Sequence, residues 1–234
     1  MLSVLNKIGG NHNSCQDAVF VTENETHVRG GVFDGCSSGT HSEFVSQFLA
    51  YHFEKNVTEC EVDFTGNMSI SSVFDILQRL SYLLELKPIN LQSTMLLFDY
   101  DKQEKQLKVR SFGDGVYYIN DAQFEYNLEK GLVDYVGDNI GLSYPKISEY
   151  LAEENHKTIV HEDVYNFMIC SDGIKAIVEN QFFESKINPS VLFARPTGAN
   201  YLERMYNLLV KNKYTFKDDI TIISYDSESN EQKK

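Results

Sequence analysis

The sequence predicts an α+β layered domain, with mostly antiparallel sheets that carry helices on their outer faces. Three observations point there. Short apolar strands come early, two helix-periodic stretches interrupt them, and further strands lead to a late helix and a last buried strand. No internal repeat or Pro/Gly-rich linker divides the 234 residues, and the four prolines are scattered. Residues 1–225 therefore read as a single domain, and 226–234 as a polar, disordered tail.

The stretch "DAVFVTENETHVRGGVFDG" reads as two strands around a polar turn at Glu23–Glu25. Apolar residues at Phe44, Val45, Phe48, Leu49 and Tyr51 to Phe53 predict an amphipathic helix from Ser38 to about Phe53. A second helix fits "SISSVFDILQRLSYLLELK", closed by Lys87-Pro88. The period then changes to that of strands. From Ser93 to Asn127 the chain reads as a meander with turns at Asp101–Glu104, Gly113–Gly115 and Asn120–Ala122. Leu128 to Asn155 shows little periodicity and is assigned to no element. "VYNFMICSDGI" is an apolar strand ending in an acid and a glycine, "NYLERMYNLLVKNKY" is helical, and "DDITIISY" is a final buried strand.

Composition narrows the function. A net charge of −13 with no basic stripe opposes binding to a nucleic-acid backbone. No apolar run approaches the roughly 18 residues that a membrane helix needs, and the N-terminus carries no secretion signal. The four cysteines form no CxxC pair, which reads as free thiols in a reducing cytoplasm.

The chemistry lies in the acids. "SCQDAVF" puts Asp17 at a strand start, "GVFDGC" puts Asp34 at a strand end, and "FGDGVYY" puts Asp114 in a hairpin turn. "MICSDGI" puts Asp172 at another strand end, and "FKDDITI" puts Asp218 and Asp219 at the start of the last strand. A single Asp-Gly is ordinary turn chemistry. Acids at five strand termini can instead meet at one sheet edge, where hard cations such as Mg²⁺ or Mn²⁺ take carboxylate oxygens and waters. No HExxH or similar histidine spacing supports zinc.

In this order, "NSCQDA", "VFDG" with its following "SSGTHSE" helix, "STMLLFD", "FGDG", "ICSDGI" and "DDITII" resemble the motifs of the metal-dependent (type 2C) serine/threonine protein phosphatases. The resemblance spans about residues 11 to 225. It implies two stacked antiparallel sheets flanked by helices, in α-β-β-α layers, with two Mn²⁺ or Mg²⁺ ions at one sheet edge. Carried over by position, Asp34 would bridge the two ions and the Gly35 carbonyl would bind one of them. Asp172 and Asp218 would complete the other ion's ligands, and Asp17 would act mainly through metal-bound water. Asp114 matches an acid associated with a third, weaker ion. The implied reaction is attack of a metal-bridging water on a phosphomonoester of a phosphorylated protein, with no protein nucleophile and no phosphoenzyme.

The chain departs from the family pattern in four places. The family's phosphate-binding Arg falls at His12, a poorer bidentate clamp. The second residue of "DDIT" is Asp219 where the family usually has Asn. Cys36 follows the "DG", and the segment 128–155, where the family carries a variable flap, has no signature. Cys36 reads as a small buried turn residue and His41 as a polar residue of the first helical turn. "CSSG" lacks the GxxxxGK[ST] pattern of a nucleotide-binding loop. Two alternatives stay open: a phosphatase-like domain that binds a phosphoprotein without turnover, and a hydrolase of small phosphoesters.

Overall fold

The computed structural model describes residues 1–39, 42–59, 65–120, 122–125, 134–141, 144–153, 156–178, 193 and 200–227. Twelve strands are described: β1 (Leu2–Lys7), β2 (Asp17–Glu23), β3 (His27–Gly35), β4 (Ser93–Asp101), β5 (Gln106–Phe112), β6 (Val116–Ile119), β7 (Ala122–Glu125), β8 (Ile159–His161), β9 (Asn166–Cys170), β10 (Ile177–Val178), β11 (Thr215–Phe216) and β12 (Ile220–Asp226). The described helices are α1 (Ser42–Glu59), α2 (Asn67–Leu83), α3 (Tyr144–Ala152) and α4 (Tyr201–Lys211).

Two five-stranded sheets form, one ordered β2-β3-β4-β5-β8 and the other β1-β12-β9-β6-β7, with β10 and β11 paired apart. Every pairing among the described strands is antiparallel. Strand alternation divides the apolar residues into three layers. Val28, Val32, Leu96, Phe98 and Val109 of the first sheet meet Tyr117, Phe167, Ile169 and Ile223 of the second. The other face of the first sheet, with Phe33, Met95 and Leu97, is covered by α1, α2 and α3. The other face of the second, with Leu5, Met168 and Ile222, is covered by Leu202 and Leu209 of α4. The result is the expected α-β-β-α stack.

Aromatic residues fix α1 to the first sheet. Phe53 stacks on Phe33 at 5.8 Å and on Phe20 at 6.4 Å between ring centroids. Phe33 and Phe53 are almost wholly buried, so truncating either to Ala would cost roughly 3–5 kcal/mol.

Several boundaries move from their sequence positions. Cys36 to Gly39 form a turn, Gly39 N–H donating to the Cys36 carbonyl at 2.9 Å, and α1 begins only at Ser42. Helix α2 stops at Leu83, four residues short of Lys87, because Glu85 takes a left-handed backbone (φ 52°). The turn at Gly113–Gly115 is not a hairpin. β5 pairs with β4 and β8 in the first sheet, whereas β6 pairs with β7 and β9 in the second, so Asp114 sits where the chain crosses between sheets. All four β6 residues are buried, and such an apolar strand cannot reveal its partner by pattern. The strands β1, β8, β10 and β11 and the helix α3 carry no assignment in the sequence reading. Asp226, counted there with the tail, closes β12 opposite Asn166. Residues 228–234 and His41 lie outside the described residues.

Candidate active site

The site begins with a hairpin. The Asn24 side-chain oxygen accepts the backbone N–H of Thr26 at 2.9 Å and of His27 at 2.7 Å, which fixes the β2–β3 turn. That turn sets the register in which Asp17 stands opposite Asp34, and Asp34 in turn opposite Thr94 on β4. Asp34 shares its side of β3 with Val32, and Asp17 its side of β2 with Val19, so both acids point into the layer between the sheets. From the second sheet, β9 ends at Cys170 and releases Asp172 into a short 3₁₀ turn, while Asp218 and Asp219 precede β12. The strand ends thus bring acids from both sheets to one edge.

There a cleft of about 110 Å³ is lined by Gln16, Asp34, Gly35, Cys36, Ser37, Thr94, Asp114, Tyr135, Asp172 and Asp218. Five of the positions singled out in the sequence as metal-binding line it: Asp34, Gly35, Asp114, Asp172 and Asp218. Asp17 lies beneath it, buried.

The electrostatics are those of crowded carboxylates. Burial, then the charges of Asp17 and Asp172, push the Asp34 carboxyl well above its ordinary range. Asp172 is raised by burial and by Asp114, and the Asp34 and Asp172 carboxyls are close enough to hydrogen-bond. Burial raises Asp17 to about 7, with the Asp219 charge adding to it. The Ser171 and Thr221 hydroxyls temper that rise, yet neither Asp17 oxygen has a well-formed hydrogen bond among the described residues. Like charges gathered this way are unfavourable unless a proton or a cation sits among them.

The N-terminal loop is held by Asp219. One of its oxygens accepts the Gly9 N–H at 2.6 Å and the other accepts the Gln16 N–H. Gly173 packs so tightly beneath Asp219 that a Cβ there would lie 1.7 Å from the Asp219 carbonyl oxygen. The glycine of "SDG" therefore serves close approach of two backbones. His12 does not line the cleft. Its Nδ1 lies 3.1 Å from Asp219 Oδ2 and its Nε2 lies 3.6 Å from Asp218 Oδ1.

The family model for protein phosphatase 2C matches residues 10–209. This chain belongs to that family.

As a member of the protein phosphatase 2C family it is a protein serine/threonine phosphatase, and the family's dependence on a divalent metal applies to it. A bacterial serine phosphatase bearing one Arg-to-Glu substitution superimposes with a TM-score of 0.66 at 14% identity, over 97% of each chain. RsbX in complex with magnesium gives 0.55 at 16% identity, over 95% of this chain and 92% of that one. The phosphatase Stp1 from Staphylococcus aureus gives 0.57 at 13%, over 96% and 94%. These likenesses show the type 2C fold. A search of curated proteins finds no match.

Four cleft residues escape the sequence reading: Gln16, Ser37, Thr94 and Tyr135. Gln16 and Thr94 adjoin acids in recognised motifs and were within reach of it. Tyr135 lies in the unassigned segment and carries no local signal. Cys36, read as a buried turn residue, is half-exposed and lines the cleft.

Proposed function

We propose that this chain hydrolyses phosphoserine and phosphothreonine in proteins with two Mn²⁺ or Mg²⁺ ions held by Asp34, Gly35, Asp172 and Asp218. In this reading Asp114 offers a place for a third ion, and Asp17 acts from beneath. One observation carries the proposal: Asp34, Asp114, Asp172 and Asp218 line a single small cleft, and burial and mutual repulsion raise Asp34 and Asp172.

The donor set suits hard cations. The acidic side chains of the cleft offer only oxygen, and Asp17 adds two buried oxygens that lack a well-formed hydrogen bond among the described residues. Among the described residues no three His, Cys, Asp or Glu side chains form a ready group around one ion. Mg²⁺ is usually bound by one or two carboxylates together with retained waters, so a closed cage is not required of the protein. Bound there, the cations supply Lewis acidity toward phosphoryl oxygens and lower the pKa of water.

The chain's own residues do the rest. Asp34 and Asp172 give up protons as cations bind. Asp219 anchors the loop that carries Gln16, and the Gln16 carbonyl accepts the Gly35 N–H at 3.1 Å, which fixes the turn after Asp34. The cleft is small enough to take a phosphoryl group while the remainder of a protein substrate stays outside. His12 contributes in this reading by bracing Asp218 and Asp219, rather than by clamping phosphate.

The thiols of Cys15, Cys36 and Cys170 are free. They support a cytoplasmic location, and no described helix is long and apolar enough to cross a membrane. The test is turnover of a phosphopeptide and of an aryl phosphate by chelator-stripped protein, with and without added Mn²⁺. Mn²⁺-dependent turnover of the phosphopeptide supports the proposal. Turnover of the aryl phosphate alone indicates a small-phosphoester hydrolase, and turnover of neither indicates a binding domain.

A further inference from the structure

The segment between β7 and α3 contributes Tyr135 to the cleft lining. Its hydroxyl meets the Cys36 thiol, and a phenol carries an O–H donor at neutral pH. The chain around it is tied down at two points.

The first is a polar cluster. Asp134 faces His156 Nε2 at 3.0 Å and accepts hydrogen bonds from the Tyr150 hydroxyl at 2.9 Å and the Asn139 amide at 3.2 Å. The buried His156 ring lies flat against Phe112 at 5.0 Å and packs at a tilt of 40° against Tyr150 at 4.2 Å between ring centroids. Phe112 ends β5, two residues before Asp114.

The second is Gln92. Its carbonyl accepts the Cys36 N–H at 3.1 Å, and its side chain donates to Asp138 at 2.5 Å. Gly137 beside it packs on the Leu91 carbonyl, where a Cβ would lie 2.2 Å from the oxygen. Tyr135 is thereby referenced both to the loop carrying Asp114 and to the loop carrying Cys36.

The cleft needs such a donor. Cations held by the carboxylates would balance a phosphoryl group's charge, but its remaining oxygens need donors to orient them, and none of the described lining residues is cationic. The neutral donors are Gln16, Ser37, Thr94 and Tyr135. Thr94 is buried at the floor, paired opposite Asp34, while Tyr135 is half-exposed and comes from a separate segment.

We propose that Tyr135 is a substrate-positioning residue whose hydroxyl donates a hydrogen bond to a phosphoryl oxygen in the cleft, and that the Asp134–His156–Tyr150 cluster is the latch that holds it there. This rests on the phosphatase reading above.

The test is Tyr135→Phe, which keeps the ring and removes only the donor. A hydrogen bond to a charged oxygen predicts a KM increase of about tenfold or more for both an aryl phosphate and a phosphopeptide. In the same variant kcat changes by less than about threefold. Inorganic phosphate, titrated calorimetrically with Mn²⁺ present, binds Tyr135→Phe more weakly by the same factor as the KM change. Asp134→Asn raises KM in the wild-type background and adds nothing to Tyr135→Phe, the sign of action through one residue. An unchanged KM and phosphate affinity in Tyr135→Phe overturns the proposal, as does a rise for the phosphopeptide alone. Wild type without turnover sinks the phosphatase reading, and the phosphate titration then still decides the role of Tyr135.

Discussion

His12 Nδ1 lies 3.1 Å from Asp219 Oδ2, so two positions at which this chain departs from the type 2C pattern touch one another. The family's Arg is His12 here, and its usual Asn is Asp219. The side chain of Asp219 is almost wholly buried, and that of Asp218 is 41% exposed. The buried acid anchors the backbone, and the more exposed one lines the cleft.

Asp219→Asn tests that anchoring. The carboxylate uses one oxygen for Gly9 N–H and the other for Gln16 N–H. Asn has a single acceptor oxygen, and its amide would face the remaining N–H. The expected loss of stability is about 1.5–3 kcal/mol, read from urea unfolding of the metal-free protein. A variant as stable as wild type would mean that the loop is held elsewhere.

Gly173→Ala brings a Cβ to within 1.7 Å of the Asp219 carbonyl oxygen, a contact with backbone that no rotamer relieves. Either the turn carrying Asp172 or the strand start carrying Asp218 must move. We expect a loss of roughly 1–3 kcal/mol, together with weaker Mn²⁺ binding because the two acids separate. Calorimetric titration with Mn²⁺ checks the second effect, and unchanged affinity would show that these acids tolerate the shift.

Without metal, stability should depend on pH through Asp17. Folded Asp17 keeps its proton up to about 7, whereas an unfolded Asp loses it near ~3.9. Between those values the folded state holds the extra proton, so stability falls as pH rises. Asp34 and Asp172 are shifted the same way. His52 and His161, lowered by burial, act oppositely below ~6.5. The useful quantity is therefore the difference between wild type and Asp17→Asn. In chelator, the melting temperature of wild type should fall relative to the variant from about pH 4.5 to 7.5. Parallel curves would mean that Asp17 is not strained.

How much of this was legible follows from what each feature depends on. Asp34 at the end of "GVF" and Asp172 at the end of "FMIC" are local facts, since an apolar strand followed by Asp-Gly announces its own terminus. The layer order followed from the alternation of periods and from the resemblance. The partner of β6 was not legible, because an apolar strand buried on both faces fits either sheet. The place of His12 depends on Asp219, some two hundred residues away, whose backbone contacts leave no local trace. Tyr135 was missed for a similar reason: its position rests on His156 and Gln92, which no spacing links to it.

The acid cleft is proposed as a divalent-cation site that Asp34 would help to hold. The most direct measurement is calorimetric titration of Mn²⁺ into metal-free wild type and Asp34→Asn at neutral pH, in buffers of differing ionisation enthalpy. The account predicts that wild type binds Mn²⁺ and releases protons, because Asp34 and Asp172 are raised in the metal-free protein. It predicts that Asp34→Asn, still folded, binds at least about tenfold more weakly, the loss of one charged ligand contact being worth 1.4 kcal/mol or more. Equal affinity in the two proteins, or no binding by wild type, would contradict it.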